Sequence, residues 1–184
     1  MEIITLAALE LNSIAVGLQA LDGMVKAGPV QIVDAKTVCP GKFVILITGE
    51  VAAVDSSLSK GKEIGEGCVV DELFIPNLHP QIIPAIVGTV ECEVWDAIAM
   101  VESFSVTASI SAADIAAKTA DILINEIRLA AGMGGKSYLK MVGNVYEVEA
   151  AVHAAVEVIK NKGLLCKEVI IPNPHPDIRN YFVL

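Results

Sequence analysis

An internal repeat constrains this chain more than any other feature of its 184 residues. When the sequence is shifted by 92 positions, half of its length, the first half meets identical residues in the second half at many positions. Two short insertions increase the shift to 94 and then 96, where Ile75–Pro80 meets Ile171–Pro176. Self-similarity of this kind predicts two copies of one structural unit. We place these units at residues 1–90 and 95–184.

Both halves contain the same order of hydrophobic patterns. In the first half, a short apolar run at Leu6–Glu10 precedes a helical pattern that ends near Lys26, and two β-branched runs flank residues 39–42. A second helix and a last strand complete the order β-α-β-β-α-β. In the second half, Asn144 and Glu147 have the spacing of a capping pair at the start of the second helix. The order predicts an α+β fold made of two tandem ferredoxin-like plaits.

Charge and polarity argue against two classes of partner. The chain has 13 basic and 22 acidic residues and a formal net charge of −9, whereas nucleic-acid binding needs a basic face. The longest stretch without a charged residue, Leu73–Val90, contains three prolines, which a membrane-spanning helix would not carry together. No basic segment precedes Lys26. We therefore expect a soluble, unexported protein with no nucleic-acid or membrane partner.

The motifs that suggest catalysis or nucleotide binding are incomplete. Residues 132–137 end in Gly-Lys-Ser, but the leading glycine of a P-loop is replaced by Ala130, and a strand follows instead of a helix. His79 and His175 occupy matching positions of the repeat without matching carboxylates or cysteines nearby, which favours a structural role in a turn. We therefore assign no general acid, base or nucleophile and expect no enzymatic activity.

The four cysteines are not spaced as a zinc or iron–sulfur motif. We expect three of them, Cys68, Cys92 and Cys166, to be small buried apolar residues. Cys39 differs because it lies in the turn between two strands, with Lys36 and Lys42 nearby, and should be exposed. One thiol cannot hold a metal, but three copies around an axis could. The residues alone leave a metal site and an ordinary loop cysteine both open.

Repeated short motifs resemble those of bacterial microcompartment shell proteins over nearly the whole chain. They are a Glu-x-x-Ser start, an Asp-x-x-x-Lys helix end, a Gly-Lys loop and Ile-Pro-x-x-His-Pro, found at Glu10 and Glu102, Asp22 and Asp114, Gly41 and Gly135, and Ile75 and Ile171. Asn77 and Asn173 replace an arginine that is common in the last motif. The segment Lys36–Phe43 is similar to the tandem-domain shell protein of propanediol-utilisation compartments.

The resemblance implies a structural role in the shell of a cytoplasmic bacterial organelle. That subfamily forms a homotrimeric pseudohexamer, packs with other shell proteins and carries a [4Fe–4S] cluster at its central pore, which implies one thiolate ligand from Cys39 of each subunit. Electron transfer or cluster exchange with a lumenal or cytosolic redox protein is the implied function. The implied pore loops are Val38, Cys39, Pro40 and Gly41, and Ala130, Ala131, Gly132, Met133, Gly134 and Gly135; the implied tile-edge contacts are Lys26, Lys118, His79 and His175.

Two other functions remain open at this point. A shell trimer could have an open pore that conducts metabolites, in which case Cys39 is incidental. Alternatively, a cytoplasmic plait-fold protein could sense an effector bound at a subunit interface. The repeated Asp-x-x-x-Lys helix ends favour a shell tile over a sensor.

Overall fold

The computed structural model describes residues 4–93 and 95–182. Its contacts divide the chain into two compact units, Met1–Leu78 and His79–Leu184. The first unit contains β1 (Thr5–Leu11), α1 (Ile14–Ala27), β2 (Gln31–Val38), β3 (Lys42–Gly49), α2 (Val51–Ile64) and β4 (Val69–Ile75). The second unit contains α3 (Ile82–Val87), β5 (Ala97–Ser103), α4 (Val106–Thr119), β6 (Leu123–Arg128), β7 (Ser137–Gly143), α5 (Val145–Asn161), β8 (Leu165–Pro172), a 3₁₀ turn (Pro176–Ile178) and α6 (Arg179–Phe182).

Each unit is built on one four-stranded antiparallel sheet. The strand orders are β2-β3-β1-β4 and β6-β7-β5-β8, so the first strand of each repeat lies between the third and fourth. Both repeats also share a register shift in the same place, at Ile32 and Asp34 in one and at Ile124 and Glu126 in the other. This is the predicted ferredoxin-like topology, made twice.

The core of the first unit lies between the sheet and its two helices, which also pack against each other. Alternate residues of β1 and β3 face this core, as the period of two in a strand requires. These side chains are Ala7, Leu9 and Leu11 of β1 and Phe43, Ile45 and Ile47 of β3, packed on Ala20 and Met24 of α1 and Val54 and Leu58 of α2. The helices therefore cover one face of the sheet.

The Glu-x-x-Ser motif has a local structural explanation. Ser13 and Ser105 are the N-caps of α1 and α4, and their hydroxyls accept hydrogen bonds from the amides of Val16 and Ala108 at 3.3 and 3.2 Å. Such a cap contributes about 1 kcal/mol to helix stability. The serine thus sets the helix start in both repeats.

Two local predictions need correction. Asn144 is the N-cap of α5, but its side chain makes no capping hydrogen bond, and Glu147 accepts from the Asp121 amide at 2.9 Å instead. The six-residue helix α3 lies in a proline-containing segment for which no helix was predicted.

Within the described residues, no helix is long and apolar enough to span a bilayer.

The cysteines correct a further expectation. Of the three predicted to be buried, Cys92 is buried, whereas Cys68 and Cys166 are half-buried. Cys166 lies on β8, an edge strand of its sheet, which leaves one side without a neighbouring strand. Its thiol donates a hydrogen bond to Glu102 at 3.5 Å.

Candidate functional site

Cys39 lies at the tip of the turn that joins β2 to β3. Val38 and Lys42 face each other where the two strands end, and the Gly41 amide donates to the Val38 carbonyl at 2.9 Å. Gly41 has a φ of +97°, a left-handed conformation that glycine adopts without a steric penalty. A Cβ added there would meet no atom within 4 Å, so the turn projects into open space. The Cys39 side chain is half-buried, whereas the sequence predicted an exposed thiol.

The two lysines near this turn already have carboxylate partners. Lys36 pairs with Asp34 of its own strand at 2.6 Å, and Lys42 pairs at 3.1 Å with Glu10 of β1, whose side chain is buried. Each lysine is engaged within the first unit.

The equivalent turn of the second unit is longer and rich in glycine. It connects β6 to β7 through residues 129–136, and Gly132, Gly134 and Gly135 all have positive φ values, as does Ala130. A Cβ added at Gly132 or Gly134 would meet nothing within 4 Å. The Lys136 amide donates to the Met133 carbonyl at 3.1 Å and closes the turn. This loop therefore presents backbone rather than long side chains.

A charged cluster centred on the buried pair of Glu126 and Lys140 lies on β6 and β7, the strands that the second loop connects. Glu126 on β6 accepts from Lys140 of β7 at 2.8 Å, from Arg128 at 2.7 Å and from the Tyr138 hydroxyl at 3.2 Å. The Lys140 ammonium also donates to the Phe182 carbonyl at 2.7 Å. These bonds tie the last helix, α6, to the sheet. No sequence motif pointed to this cluster, because its members lie on two strands and at the chain's end.

The pKa directions agree with this arrangement. Burial raises the pKa of Tyr138 above its ordinary value, although the Arg128 guanidinium beside it acts in the opposite direction. The hydrogen bond with Tyr138, and next the charge of Glu126, raise the pKa of Arg128. The phenol therefore stays protonated well above neutral pH and keeps donating to Glu126.

The predicted edge lysines occupy equivalent places but different surroundings. Lys26 pairs with Asp22, and Lys118 with Asp114, both at 2.6 Å. The Asp22 side chain is 61% exposed, whereas that of Asp114 is 6% exposed and also accepts from the His79 amide at 2.8 Å. The Asp-x-x-x-Lys spacing is that of an i,i+4 ion pair on a helix, but it gives no sign of the second partner of Asp114.

The two matching histidines organise turns. The His79 ring accepts from the Gln81 amide at 3.4 Å, and the His175 ring accepts from the Asp177 amide at 3.3 Å. Both bonds use Nδ1 and span two residues. The geometry agrees with the predicted structural role of the Ile-Pro-x-x-His-Pro motif.

The comparisons with known proteins agree on one family. Residues 5–78 and 97–174 each match the family described as BMC domain. The chain is 40% identical over 167 residues to the bacterial microcompartment shell protein PduT of Citrobacter freundii, covering 91% of each chain.

Solved structures with the same fold include two microcompartment proteins. One, a microcompartment protein from Desulfitobacterium hafniense, is 41% identical, with a TM-score of 0.91 over 97% of this chain and 99% of that one. The other, a fused permuted hexameric shell protein from the RMM microcompartment, is 17% identical, with a TM-score of 0.62 over 84% of this chain and 81% of that one. The second similarity concerns the fold alone.

Proposed function

Because the chain belongs to the BMC-domain family of bacterial microcompartment shell proteins, we propose that it forms a homotrimeric shell tile with a [4Fe–4S] cluster at its centre. Family membership places the protein in the microcompartment shell. The family is in general structural rather than catalytic, and its members assemble with other shell proteins into oligomers. The sensor alternative is therefore not retained.

The trimer is supported by the duplication within the chain. A ring of six plait domains needs only three chains when each chain carries two, and closed rings are the usual form of soluble homo-oligomers. In such a pseudohexamer, the Cys39 turn and the glycine-rich loop at residues 129–136 would alternate around the axis. The pore lining would then combine three thiols with three loops of exposed backbone.

The observation that carries the cluster proposal is the position of Cys39 at the tip of a turn that projects into open space. In the described residues, 4–93 and 95–182, no group of three or more His, Cys, Asp or Glu side chains could hold a metal ion. A cluster bound here would therefore take its ligands from several copies. Three Cys39 thiolates fit an iron–sulfur donor set and leave one iron for a different ligand.

A bound cluster would supply one-electron transfer, or would itself be exchanged, across the shell. Cys39 would serve as the ligand, and the Val38–Gly41 hydrogen bond would hold the turn that carries it. A redox protein on one side of the shell is the partner that electron transfer requires. The alternative is a tile whose open pore conducts metabolites, and the second loop, with positive φ at Gly132, Gly134 and Gly135, would then line that pore.

Analysis of the protein purified under anaerobic conditions tests the proposal. Sedimentation equilibrium should give three chains per particle, with four iron and four sulfide ions and the broad visible absorption of a [4Fe–4S] cluster. A trimer that contains neither iron nor sulfide would support the open pore, and one that contains zinc alone would overturn the cluster. A stable monomer or dimer would overturn the tile.

The edge lysines give a separate prediction about tiling. We expect Lys26→Ala with Lys118→Ala to remain trimeric but to lose extended sheets in electron micrographs, because the exposed ammonium groups are removed from the tile edge. Alanine is used because an introduced aspartate would face Asp22 or Asp114 directly. Lys60→Ala, which breaks an exposed pair with Glu63 on α2, is the control and should tile normally. Sheets of undiminished extent in the double variant would show that these lysines are not edge contacts.

A further inference from the structure

The two repeats differ in the exposure of one equivalent surface on the first helix and edge strand. Leu18 on α1 is 62% exposed, whereas its equivalent Ile110 on α4 is fully buried. Ile32 on β2 is 49% exposed, whereas its equivalent Ile124 on β6 is fully buried. We call the exposed set Leu18, Asp22 and Ile32 the α1–β2 surface. α1 and β2 pack against each other, and exposed aliphatic side chains on neighbouring elements are typical of a surface that another protein covers.

In the second unit, the segment that follows the first repeat lies on the equivalent surface. The His79 amide donates to Asp114 on α4 at 2.8 Å. The Gln81 side chain donates to the Ile122 carbonyl at 2.9 Å and accepts from the Ile124 amide at 2.7 Å. Ile82 is fully buried, and α3 packs against β6 and α4. These contacts involve both hydrogen bonds and apolar burial.

The segment that follows the second repeat has the same local form but is exposed. His175 corresponds to His79, Asp177 to Gln81 and Ile178 to Ile82. Both histidine rings close the same two-residue turn. However, Pro176–Ile178 contains no buried residue, and Ile178 is 37% exposed. The chain thus carries a segment at residues 175–178 that is equivalent to residues 79–82, and an α1–β2 surface that is equivalent to the one residues 79–82 cover. Both are exposed.

We propose that residues 175–178 of one copy dock on the α1–β2 surface of the next copy, as residues 79–82 dock on the equivalent surface within the chain. This inference rests on the proposed ring and names the contact that closes it. The His175 amide would donate to Asp22, and Ile178 would cover the apolar side chains beside Ile32. The contact is head-to-tail, because the segment and the surface are different parts of the chain.

The repeat also predicts how the two contacts differ. The Gln81 amide group both donates and accepts, whereas the carboxylate of Asp177 can only accept. Asp177 could therefore accept from the Ile32 amide but could not donate to the Val30 carbonyl, the equivalent of the Ile122 carbonyl. We expect Asp177→Gln to restore the missing bond and to slow trimer dissociation about fivefold, the effect of one net hydrogen bond.

Two charged variants test the head-to-tail contact. Leu18→Asp should block the surface and Ile178→Asp the segment, so each variant alone should lose the trimer at concentrations where the wild type is fully trimeric. An equimolar mixture should form a one-to-one heterodimer, because only one intact segment and one intact surface can meet. Tyr146→Asp, at an 84% exposed aromatic residue on α5, is the matched control and should stay trimeric.

Analytical ultracentrifugation with one variant labelled distinguishes the outcomes. A heterodimer in the mixture, together with slower dissociation of Asp177→Gln, supports the contact. Trimeric Leu18→Asp and Ile178→Asp proteins would overturn the contact while leaving the ring intact, and monomers in the mixture would also overturn it. A wild type that is itself monomeric would overturn the ring first. Circular dichroism of each variant checks that the plaits remain folded.

Discussion

Cys39→Ala, purified under anaerobic conditions, is expected to be a colourless trimer with less than a tenth of the wild-type iron and sulfide. The substitution removes all three proposed thiolate ligands at once, because each subunit contributes one and no described group of three or more ligating side chains could take their place. The trimer should keep its size, because the half-buried thiol sits on a turn held by the Val38–Gly41 hydrogen bond. Metal analysis, acid-labile sulfide and sedimentation measure these three properties.

Cys166→Ala and Cys68→Ala are the matched controls, because both thiols are half-buried like that of Cys39. Both variants should keep the wild-type colour and metal content, since neither cysteine belongs to the β2–β3 turn: Cys68 immediately precedes β4, and Cys166 lies on β8. A Cys39→Ala protein that retains stoichiometric iron and sulfide would overturn the assignment of the ligand. Loss of colour in all three variants would mean that general thiol loss, not the position of Cys39, destabilises the cluster.

The repeat made the fold predictable from the sequence. Each element appears twice in the same order, so a weak pattern in one half is supported by its equivalent in the other. The starts of α1 and α4 could be predicted equally well, because the Ser13 and Ser105 hydroxyls accept hydrogen bonds from amides only three residues further along the chain. Local signals of this kind depend little on the rest of the chain.

The features that the sequence did not predict depend on distant partners. Helix α3 is six residues long and contains Pro84, so it is too short to show the 3.6-residue hydrophobic period of a helix in the sequence. It is stabilised by the burial of Ile82 and Ala85 in the second unit. Lys42 is close to Cys39 in the sequence, but its partner Glu10 lies on another strand. A charge that is near a residue in the sequence can therefore be paired with a distant residue in the fold.

The candidate site was predictable only in part for the same reason. The position of Cys39 in a turn follows from the strands on either side, and the structure places it there. Whether three such turns meet cannot follow from one chain, because the axis is a property of the assembly. The α1–β2 surface, which we propose closes the ring, was detectable only by comparing residues such as Leu18 and Ile110, which are alike in the sequence and differ in exposure.

The buried pair of Glu126 and Lys140 should produce the largest effect on stability. Both side chains are at most 6% exposed, so Glu126→Ala would leave the Lys140 ammonium buried without its carboxylate. Breaking such a pair costs about 3–5 kcal/mol. We expect a decrease of about 3 kcal/mol in the free energy of unfolding, measured in urea at fixed protein concentration, because the Phe182 carbonyl still accepts from Lys140.

The first repeat provides both a control and a rescue for this experiment. Asp34 is the equivalent of Glu126, but its pair with Lys36 is partly exposed, so Asp34→Ala should cost less than about 1 kcal/mol. Asp34 faces Leu46 where Glu126 faces Lys140, which shows that the same fold accepts a buried leucine there. Glu126→Ala with Lys140→Leu should therefore recover most of the lost stability, since no unpaired buried cation remains. If the free energy of unfolding of Glu126→Ala is within 1 kcal/mol of the wild-type value, the ion pair does not stabilise the second unit. If the double variant is less stable than Glu126→Ala, the Lys140 ammonium has other essential partners.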